Sequence, residues 1–307
     1  MLQQTQVSTV LQYYPRFLSL LPDVARLAAA PQDEVMALWS GLGYYSRARN
    51  LHRCAQRVVQ DFGGVFPQSA ELLQTLPGIG RSTAAAIAAF CYGERVAILD
   101  ANVKRVLSRV LGFSDDLAVQ RNEKVLWDKA TDLLPTEALK TAMPRHTQAM
   151  MDLGATLCTA RKPACTICPL ATTCVARAQG NPEAYPVKTR KLKRSAQSWC
   201  LLWAQRADGA VWLVQRPDVG VWAGLYCLPM VASEEAIDSM VGEGRIGEAL
   251  ALPAFKHVLT HIDLYLHVIK LAWSGDAAPS DGGQWVIATR LSNLGLPAPI
   301  RKLLAAS

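Results

Sequence analysis

The sequence predicts an α-helical domain that ends in a cysteine-rich loop, followed by a smaller, mixed α+β domain. Apolar residues recur at helical spacing through the first half of the chain. Four closely spaced cysteines come next, and beyond a basic segment there are short runs of β-branched and aromatic residues. A length of 307 residues with 50% hydrophobic composition is sufficient for two domains with separate cores.

Helical periodicity is clearest over residues 24–38, 48–59 and 82–90, and turns are expected at Pro31, Gly41 and Gly63-Gly64. We therefore expect a helical domain over residues 1–157 and a cysteine loop over residues 158–181. Residues 182–195 are rich in lysine and arginine and too polar to pack, which predicts a basic linker. Runs at 199–203, 211–215, 224–228 and 265–273 predict the strands of a second domain over residues 196–307.

The four neighbouring cysteines, Cys158, Cys165, Cys168 and Cys174, are the most distinctive pattern in the chain. A single Cys-x2-Cys pair lies between an upstream and a downstream cysteine, so all four thiolates can surround one iron-sulfur cluster. Zinc is the alternative, although zinc sites usually have two Cys-x2-Cys pairs separated by a longer loop.

The other cysteines, net charge and hydropathy indicate the setting. Disulfides are disfavoured because Cys54, Cys91, Cys200 and Cys227 are scattered through apolar sequence, and no charged-then-apolar secretory segment opens the chain. We expect a reducing, cytoplasmic compartment. A net charge of +7 and a pI near 9.0 favour a polyanionic partner, but many proteins are basic only for solubility. No apolar stretch is long enough to span a membrane, and we expect a monomer.

Residues 76–84, Leu-Pro-Gly-Ile-Gly-Arg-Ser-Thr-Ala, predict a helix-hairpin-helix. Gly78 and Gly80 would let the backbone approach a phosphate, and the N–H groups that begin the second helix would bind it. Such a hairpin grips the DNA backbone without reading bases. The alternative is an ordinary turn between two helices with a glycine cap.

An apolar run ends at Asp100, which precedes a helix that carries Lys104 and Arg105. The structural interpretation of Asp100 is a helix N-cap. The catalytic interpretation is a carboxylate that stabilises the positive charge that develops on a sugar when its base departs. Lys104 and Arg105 are candidates for phosphate contacts, although a solvated helix face also explains them.

The order of these motifs resembles the base-excision glycosylase superfamily that contains endonuclease III and the MutY adenine DNA glycosylases. Residues 1–6, 38–48 and 150–155 are similar to MutY motifs. Ser82 occupies the position where members that also cleave the strand carry a Schiff-base lysine, so the resemblance implies a monofunctional glycosylase. The region beyond the cysteines resembles the Nudix-like C-terminal domain of MutY proteins, whereas endonuclease III ends near its cluster.

The resemblance implies base-excision repair: a flipped adenine, mispaired with 8-oxoguanine or guanine, is removed from duplex DNA by hydrolysis of its N-glycosidic bond. It also implies a 4Fe-4S cluster on the four cysteines. Gln4 and Tyr44 correspond to side chains that insert into the base stack; a polar helix start and a core aromatic are the alternatives. Further DNA contacts are expected from Gly78, Gly80, Ser82, Lys104, Arg161 and Lys162.

In the second domain, Leu259-Thr260-His261 corresponds to the lesion-reading loop of the family, whose usual form is Phe-Ser-His. Thr260 keeps the hydroxyl, whereas Leu259 replaces the aromatic ring. Glu234-Glu235 stand without the surrounding Arg-Glu pattern with which Nudix enzymes hold magnesium, so we expect recognition and no pyrophosphate hydrolysis.

The resemblance sets the general-acid glutamate of the family two residues before Met1. Without that group, protonation of the departing adenine would be impaired by about 10²- to 10⁴-fold. Two hypotheses follow: an adenine glycosylase whose start codon was assigned too late, or a remnant that recognises the mispair without excision.

Overall fold

A computed structural model describes residues 1–3, 5–189, 193–241 and 244–306. By contacts, the chain divides into two compact units. The sheet unit comprises Met1–Val59 and Leu192–Ser307, and the cysteine unit comprises Gln60–Lys191. These units differ from the predicted domains, because the first 59 residues group with the C-terminal region. The second unit boundary lies within the predicted linker.

The N-terminal part of the sheet unit is helical, with α1 at Val7–Leu20, α2 at Val24–Ala29 and α3 at Gln32–Trp39. Helix α4, Ser46–Phe62, follows and continues past the unit boundary. Asp23 caps α2 by accepting a hydrogen bond from the Arg26 N–H. Pro31 separates α2 from α3, as predicted, because proline fixes φ and lacks an N–H donor.

The cysteine unit contains α5 (Ala70–Leu73), α6 (Arg81–Tyr92), α7 (Ala101–Leu111), α8 (Gln120–Asp132) and α9 (Leu139–Asp152). A π-helical turn, Leu153–Leu157, leads into the cysteines, and the short α10, Val175–Ala178, follows them. Gly93 and Gly112 end α6 and α7 in the left-handed conformation that favours glycine. The core of this unit includes Leu99, Val103, Leu126 and Met143.

In its described ranges, the C-terminal part of the sheet unit contributes an eight-stranded mixed sheet. The strands are β1 (Ser195–Arg206), β2 (Val211–Gln215), β3 (Tyr226–Cys227), β4 (Met230–Val231), β5 (Arg245–Ala251), β6 (Phe255–Val258), β7 (Ile262–Trp273) and β8 (Gly283–Val286). Helices α11, Glu234–Met240, and α12, Ala298–Ala305, accompany them. The order along the sheet is β3-β2-β1-β7-β5; β4 pairs with β1, β6 with β7 and β8 with β2. Strands β1 and β7 are parallel, and the remaining pairs are antiparallel.

Alternate residues of the central strands point to opposite faces of the sheet and build two cores. Leu201, Trp203 and Leu264 belong to the larger core, which also includes Met36 and Trp39 from α3. The smaller core lies on the other face; it contains Leu202, Trp212, Leu271 and Trp273 together with Ile237 from α11. The N-terminal helices therefore share a hydrophobic core with the sheet.

Three features of the fold bear on the predictions. Before Ser195, the described residues contain helices and no strand, as expected for the first half. The predicted linker is partly packed, contrary to expectation: Leu117 N–H donates to the Val187 carbonyl (3.0 Å), and Thr189 donates to Asp116. Its residues 190–192 lie outside the described ranges. In the part of the chain that the structure describes, no helix is long and apolar enough to cross a membrane.

Candidate functional site

Thr260 and His261 form the exposed tip of the hairpin between β6 and β7. Val258 pairs with Asp263, and the Leu259 N–H donates to the Ile262 carbonyl at 2.8 Å. Only two residues therefore lie between the pair that closes the turn. Leu259 packs against the larger core. The aliphatic side chain that departs from the Phe-Ser-His form therefore anchors the hairpin.

Arg194 fixes this hairpin from the side. Its guanidinium donates to the carbonyls of Thr260 (2.9 Å) and Leu259 (3.1 Å), and it forms an ion pair with Asp263. Lys256 also contacts Asp263, at 2.7 Å. Hydrogen bonds from Lys256 and then Arg194 lower the pKa of the Asp263 carboxyl, so it stays ionised and keeps both partners.

Tyr44 lies in the tight loop between α3 and α4. It has a φ of +48° and follows Gly43, which has a φ of +70°, so two consecutive residues are left-handed. Its side chain is 46% exposed. This strained backbone directs a large aromatic ring outward, a feature that often accompanies binding sites.

Arg47 packs against the Tyr44 ring and holds the loop in place. Its guanidinium carbon lies 5.2 Å from the Tyr44 ring centroid and 5.4 Å from that of Trp39. It donates to the Gly43 carbonyl (3.2 Å), the Met1 carbonyl (2.8 Å) and the Thr5 hydroxyl (3.0 Å). Burial lowers the pKa of Arg47. One planar side chain thus ties the N-terminal segment to the loop that presents Tyr44.

The hydroxyls of Tyr44 and Thr260 lie 3.2 Å apart, within hydrogen-bond distance. Both residues line an open cleft of about 1120 Å³, the Tyr44–Thr260 cleft, which is formed within the sheet unit. Its walls also include Trp199, Arg216 and Trp222. The structure brings together two residues that the sequence assigned to DNA recognition from opposite ends of the chain.

An aromatic pair lies in one wall of this cleft. The ring centroids of Trp222 and His257 are 5.9 Å apart, and Trp222 has a φ of +55°. Burial lowers the pKa of His257, so its imidazole is neutral at pH 7. Arg49 donates to the Ala223 carbonyl beside Trp222 and holds this wall in place.

The predicted hairpin lies between α5 and α6 of the cysteine unit. Gly78 has a φ of +76°, and Gly80 is the N-cap of α6, where no side chain caps the first turn. A Cβ added at Gly80 would meet no heavy atom within 4 Å. Glycine at that position is therefore not required by internal packing, which is consistent with approach of an external group.

Ser82 is turned into the protein. Its hydroxyl accepts a hydrogen bond from the Leu99 N–H at 3.1 Å, so the residue predicted to contact DNA ties α6 to the segment before Asp100. Asp100 caps α7: Oδ1 accepts from the Val103 N–H at 2.8 Å. Within the described residues, its Oδ2 has no hydrogen-bond partner. Lys104 forms a 2.7 Å ion pair with Glu123.

Three further residues were predicted to contact DNA: Arg161, Lys162 and Gln4. Arg161 and Lys162 are exposed in the cysteine loop, and the Lys162 N–H donates to Glu183 at 2.8 Å. Gln4 lies outside the described residues.

The four predicted metal-ligating cysteines all carry free thiols and line one cavity of the cysteine unit. Within the described ranges, no three Cys, His, Asp or Glu side chains converge closely enough to hold a single metal ion. A cuboidal cluster is larger than one ion and is held at its corners by four thiolates. Burial, and then the neighbouring thiolates, raise the pKa of Cys165, and the positively charged core of a bound iron-sulfur cluster would offset that repulsion.

Arg109 lies beside these cysteines and is 1% exposed. It donates to the Cys158 sulfur (3.4 Å) and to the carbonyls of Thr159 (2.6 Å), Ala160 (3.1 Å) and Tyr185 (3.2 Å). A buried cation that donates a hydrogen bond to a thiolate ligand would offset the net negative charge of a cluster held by four thiolates. The donor set and its surroundings therefore fit a 4Fe-4S group held by Cys158, Cys165, Cys168 and Cys174.

Sequence reasoning did not identify several of these residues. Arg47, Arg109, Trp222 and His257 were assigned no individual role, and Arg194 was counted only among the basic residues of the predicted linker. Arg47 carried a local signal, because it lies in the 38–48 motif. The others act through partners remote in sequence, which periodicity cannot indicate.

Family models match three parts of the chain. An HhH-GPD superfamily base excision DNA repair protein model covers residues 1–130, an iron-sulfur binding domain of endonuclease III covers residues 158–174, and a NUDIX domain covers residues 199–306. The curated adenine DNA glycosylase of Buchnera aphidicola subsp. Baizongia pistaciae is 34% identical over 312 residues, which cover 99% of this chain and 86% of that protein. The adenine DNA glycosylase of Mus musculus is also 34% identical, over 99% of this chain and 69% of that protein.

The family model and the curated relatives define a base-excision glycosylase, that is, a hydrolase of N-glycosidic bonds. More particularly, the chain belongs to the adenine DNA glycosylase family. The predicted fold class is confirmed, as are the family resemblance and the iron-sulfur cofactor.

Proposed function

We propose that this chain acts on adenine mispaired with 8-oxoguanine in duplex DNA and that the Tyr44–Thr260 cleft reads the oxidised base. The observation that carries this proposal is the 3.2 Å separation of the Tyr44 and Thr260 hydroxyls at the edge of an open, aromatic-walled cleft. The names of its curated relatives support adenine as the base that is removed.

The chemistry of the cleft suits an oxidised guanine. 8-Oxoguanine differs from guanine by a carbonyl oxygen at C8 and an N–H at N7. The Thr260 hydroxyl can accept from such an N–H, and a hydroxyl can donate at the same time to another group. Tyr44 presents a ring of the kind on which bases stack, and the neutral His257 adds no charge to the wall.

Asp100 is the candidate for the chemical step. As adenine leaves, positive charge develops at the anomeric carbon, and a nearby carboxylate stabilises it. The Val103 N–H holds Oδ1, while Oδ2 keeps its acceptor capacity, so one carboxylate can cap α7 and face a sugar. Water then adds its oxygen to the anomeric carbon and gives up a proton, and the departing adenine takes up one, which completes hydrolysis of the N-glycosidic bond. The cluster, when bound, would hold the 158–174 loop in a fixed fold, with the exposed Arg161 and Lys162 directed to phosphates.

A second candidate function is recognition of the mispair without excision. The observation that favours it is that Asp100 already has a structural role as the cap of α7, which would account for it without catalysis. The two functions share the same cleft and differ only in the chemical step.

A single-turnover assay distinguishes them. The substrate is a duplex with one adenine opposite 8-oxoguanine, and the proteins are this chain and a version extended upstream to include the glutamate that the family resemblance implies. Alkali-labile sites formed by the extended version, at a rate about 10²- to 10⁴-fold above this chain, support excision with that residue as general acid. Tight mispair binding with no cleavage by either protein supports recognition alone. Equal affinity for mispaired and fully paired duplexes would reject both.

A further inference from the structure

The cysteine unit carries a second concave surface, which shares no lining residue with the cysteine cavity. This Trp127 cleft, of about 570 Å³, is lined by Arg81, Gln120, Arg121, Glu123, Lys124 and Trp127. Three of its residues are cations, and the single carboxylate is already paired, because Glu123 contacts Lys104 at 2.7 Å. The cleft is therefore electropositive.

Helical spacing places these side chains on one surface. Arg121, Lys124 and Trp127 follow each other at intervals of three residues on α8, so each is next to the following one on the helix surface. Arg81 is the first residue of α6 and reaches the same cleft. Two helices thus contribute cations to one concavity.

Arg81 is preorganised within this cleft. Its guanidinium carbon lies 3.8 Å from the centroid of the Trp127 ring, so the planar group stacks on a ring that is itself buried. Among the described residues, no hydrogen bond or ion pair occupies the guanidinium edge of Arg81 or the charged groups of Arg121 and Lys124. A stacked guanidinium with free N–H groups matches the geometry of a phosphate.

We infer that the Trp127 cleft is an auxiliary binding site for DNA phosphates, which extends the grip of the hairpin along the duplex. This inference rests on the proposed DNA-directed function. Arg81 lines the cleft and directly follows Gly80, the N-cap of α6, so the cleft adjoins the predicted phosphate-binding turn. Because phosphates carry no sequence information, the site strengthens binding to damaged and undamaged duplex alike.

The test compares the salt dependence of duplex binding, measured by fluorescence anisotropy, for the unmodified chain and the double variant Arg121→Gln/Lys124→Gln. Each lost phosphate contact lowers the magnitude of the slope of log K against log salt by about 0.9, so we expect a slope smaller by about 2 and affinity reduced by about tenfold or more. The loss should be equal for duplexes with and without the mispair. The matched control is Arg290→Gln/Lys302→Gln, which removes the same charge from exposed positions of the sheet unit; its slope should equal that of the unmodified chain.

A third variant tests the stacking. Arg81→Lys keeps the charge but loses the planar group, so affinity should fall about threefold or more with little change of slope. Near-ultraviolet circular dichroism and iron content check that every variant is folded. If the unmodified chain binds duplex but the double variant keeps its slope and affinity, the cleft is not a phosphate site, and the proposed function is unaffected. If the unmodified chain does not bind duplex, both proposals fail together.

Discussion

The hydroxyl of Tyr44 lies 3.2 Å from that of Thr260, although 216 residues separate them in the chain. Each of the two residues is held by a different arginine. Arg47 stacks against the Tyr44 ring, and Arg194 donates to the Thr260 carbonyl at 2.9 Å. The contact therefore joins two preorganised elements across the mouth of the cleft, which favours joint recognition of one base.

The first prediction concerns this pair. Tyr44→Phe and Thr260→Val each remove one hydroxyl and leave nearly the same volume. We expect each to reduce the preference for 8-oxoguanine over guanine opposite adenine by about 2- to 10-fold, the range of one hydrogen bond of about 0.5–1.5 kcal/mol. Because the hydroxyls act together, the double variant should lose less binding free energy than the sum of the losses in the two single variants.

Equilibrium binding to the two mispairs provides the measurement. Tyr14→Phe and Thr289→Val, at exposed positions elsewhere in the sheet unit, are the controls. Strictly additive losses would mean that the two hydroxyls contact the lesion independently, and unchanged preference in all variants would remove the cleft from lesion recognition.

The second prediction concerns the cysteine site. Arg109→Met keeps much of the side-chain volume but removes the charged donor from the partly buried carbonyls of Thr159, Ala160 and Tyr185. We expect a loss of unfolding free energy of about 3 kcal/mol or more, because several hydrogen bonds from a charged donor, each worth about 1.5–3 kcal/mol, are lost. Cluster occupancy should fall with it, since the cation that faces the Cys158 sulfur is gone.

Iron and acid-labile sulfide per chain, together with urea unfolding, check this expectation. Arg161→Gln removes an exposed arginine of the same loop and should keep full cluster content. Full occupancy in Arg109→Met would show that the four cysteines suffice to hold the cluster without the buried cation.

Particular residues show which parts of the fold and of the sites the sequence predicts and which parts it does not. The cysteine spacing, the hairpin glycines and the helical periods are local patterns, so they gave the cofactor site, the turn at Gly78 and the positions of α4 and α6. The packing of α3 against the sheet was not predicted, because an apolar helix face does not specify the surface that covers it. Ser82 illustrates the same limit: its partner, the Leu99 N–H, is adjacent only after folding.

The third prediction concerns the support of Tyr44. Arg47→Lys retains the charge but cannot reach the Met1 and Gly43 carbonyls and the Thr5 hydroxyl at once. We expect a loss of unfolding free energy of about 2 kcal/mol and a weaker hold on the Tyr44 ring, since both the hydrogen bonds and the stacking plane are lost. Urea unfolding measures the stability. Arg16→Lys, at an exposed position of α1, should have no effect beyond about 0.5 kcal/mol.

The support of Tyr44 also has a functional readout. If Arg47 positions the ring, Arg47→Lys should weaken mispair binding more than binding to fully paired duplex. Equal weakening of both would assign Arg47 a purely structural role, and unchanged stability would contradict the network of hydrogen bonds.

The fourth prediction separates the two roles of Asp100. Asn caps helices about as well as Asp because its side-chain oxygen accepts the same hydrogen bond, so Asp100→Asn should change the unfolding free energy by no more than about 0.5 kcal/mol. Asp100→Ala loses the bond to the Val103 N–H and should cost about 1 kcal/mol. If the carboxylate stabilises the developing charge on the sugar, both variants of the extended protein should lose excision by about 10²-fold or more.

Single-turnover excision and thermal unfolding, measured on the same preparations, distinguish the capping role of Asp100 from its catalytic role. Asp116→Asn provides a matched control: Asp116 is also an aspartate that accepts backbone N–H bonds, here from Ala118 and Thr189, but it lies in a loop to which no catalytic role is assigned. Its excision rate should remain that of the unmodified extended protein. Excision by Asp100→Asn at the full rate, with the cap intact, would mean that the residue serves α7 alone and that the charge on the departing sugar is stabilised elsewhere.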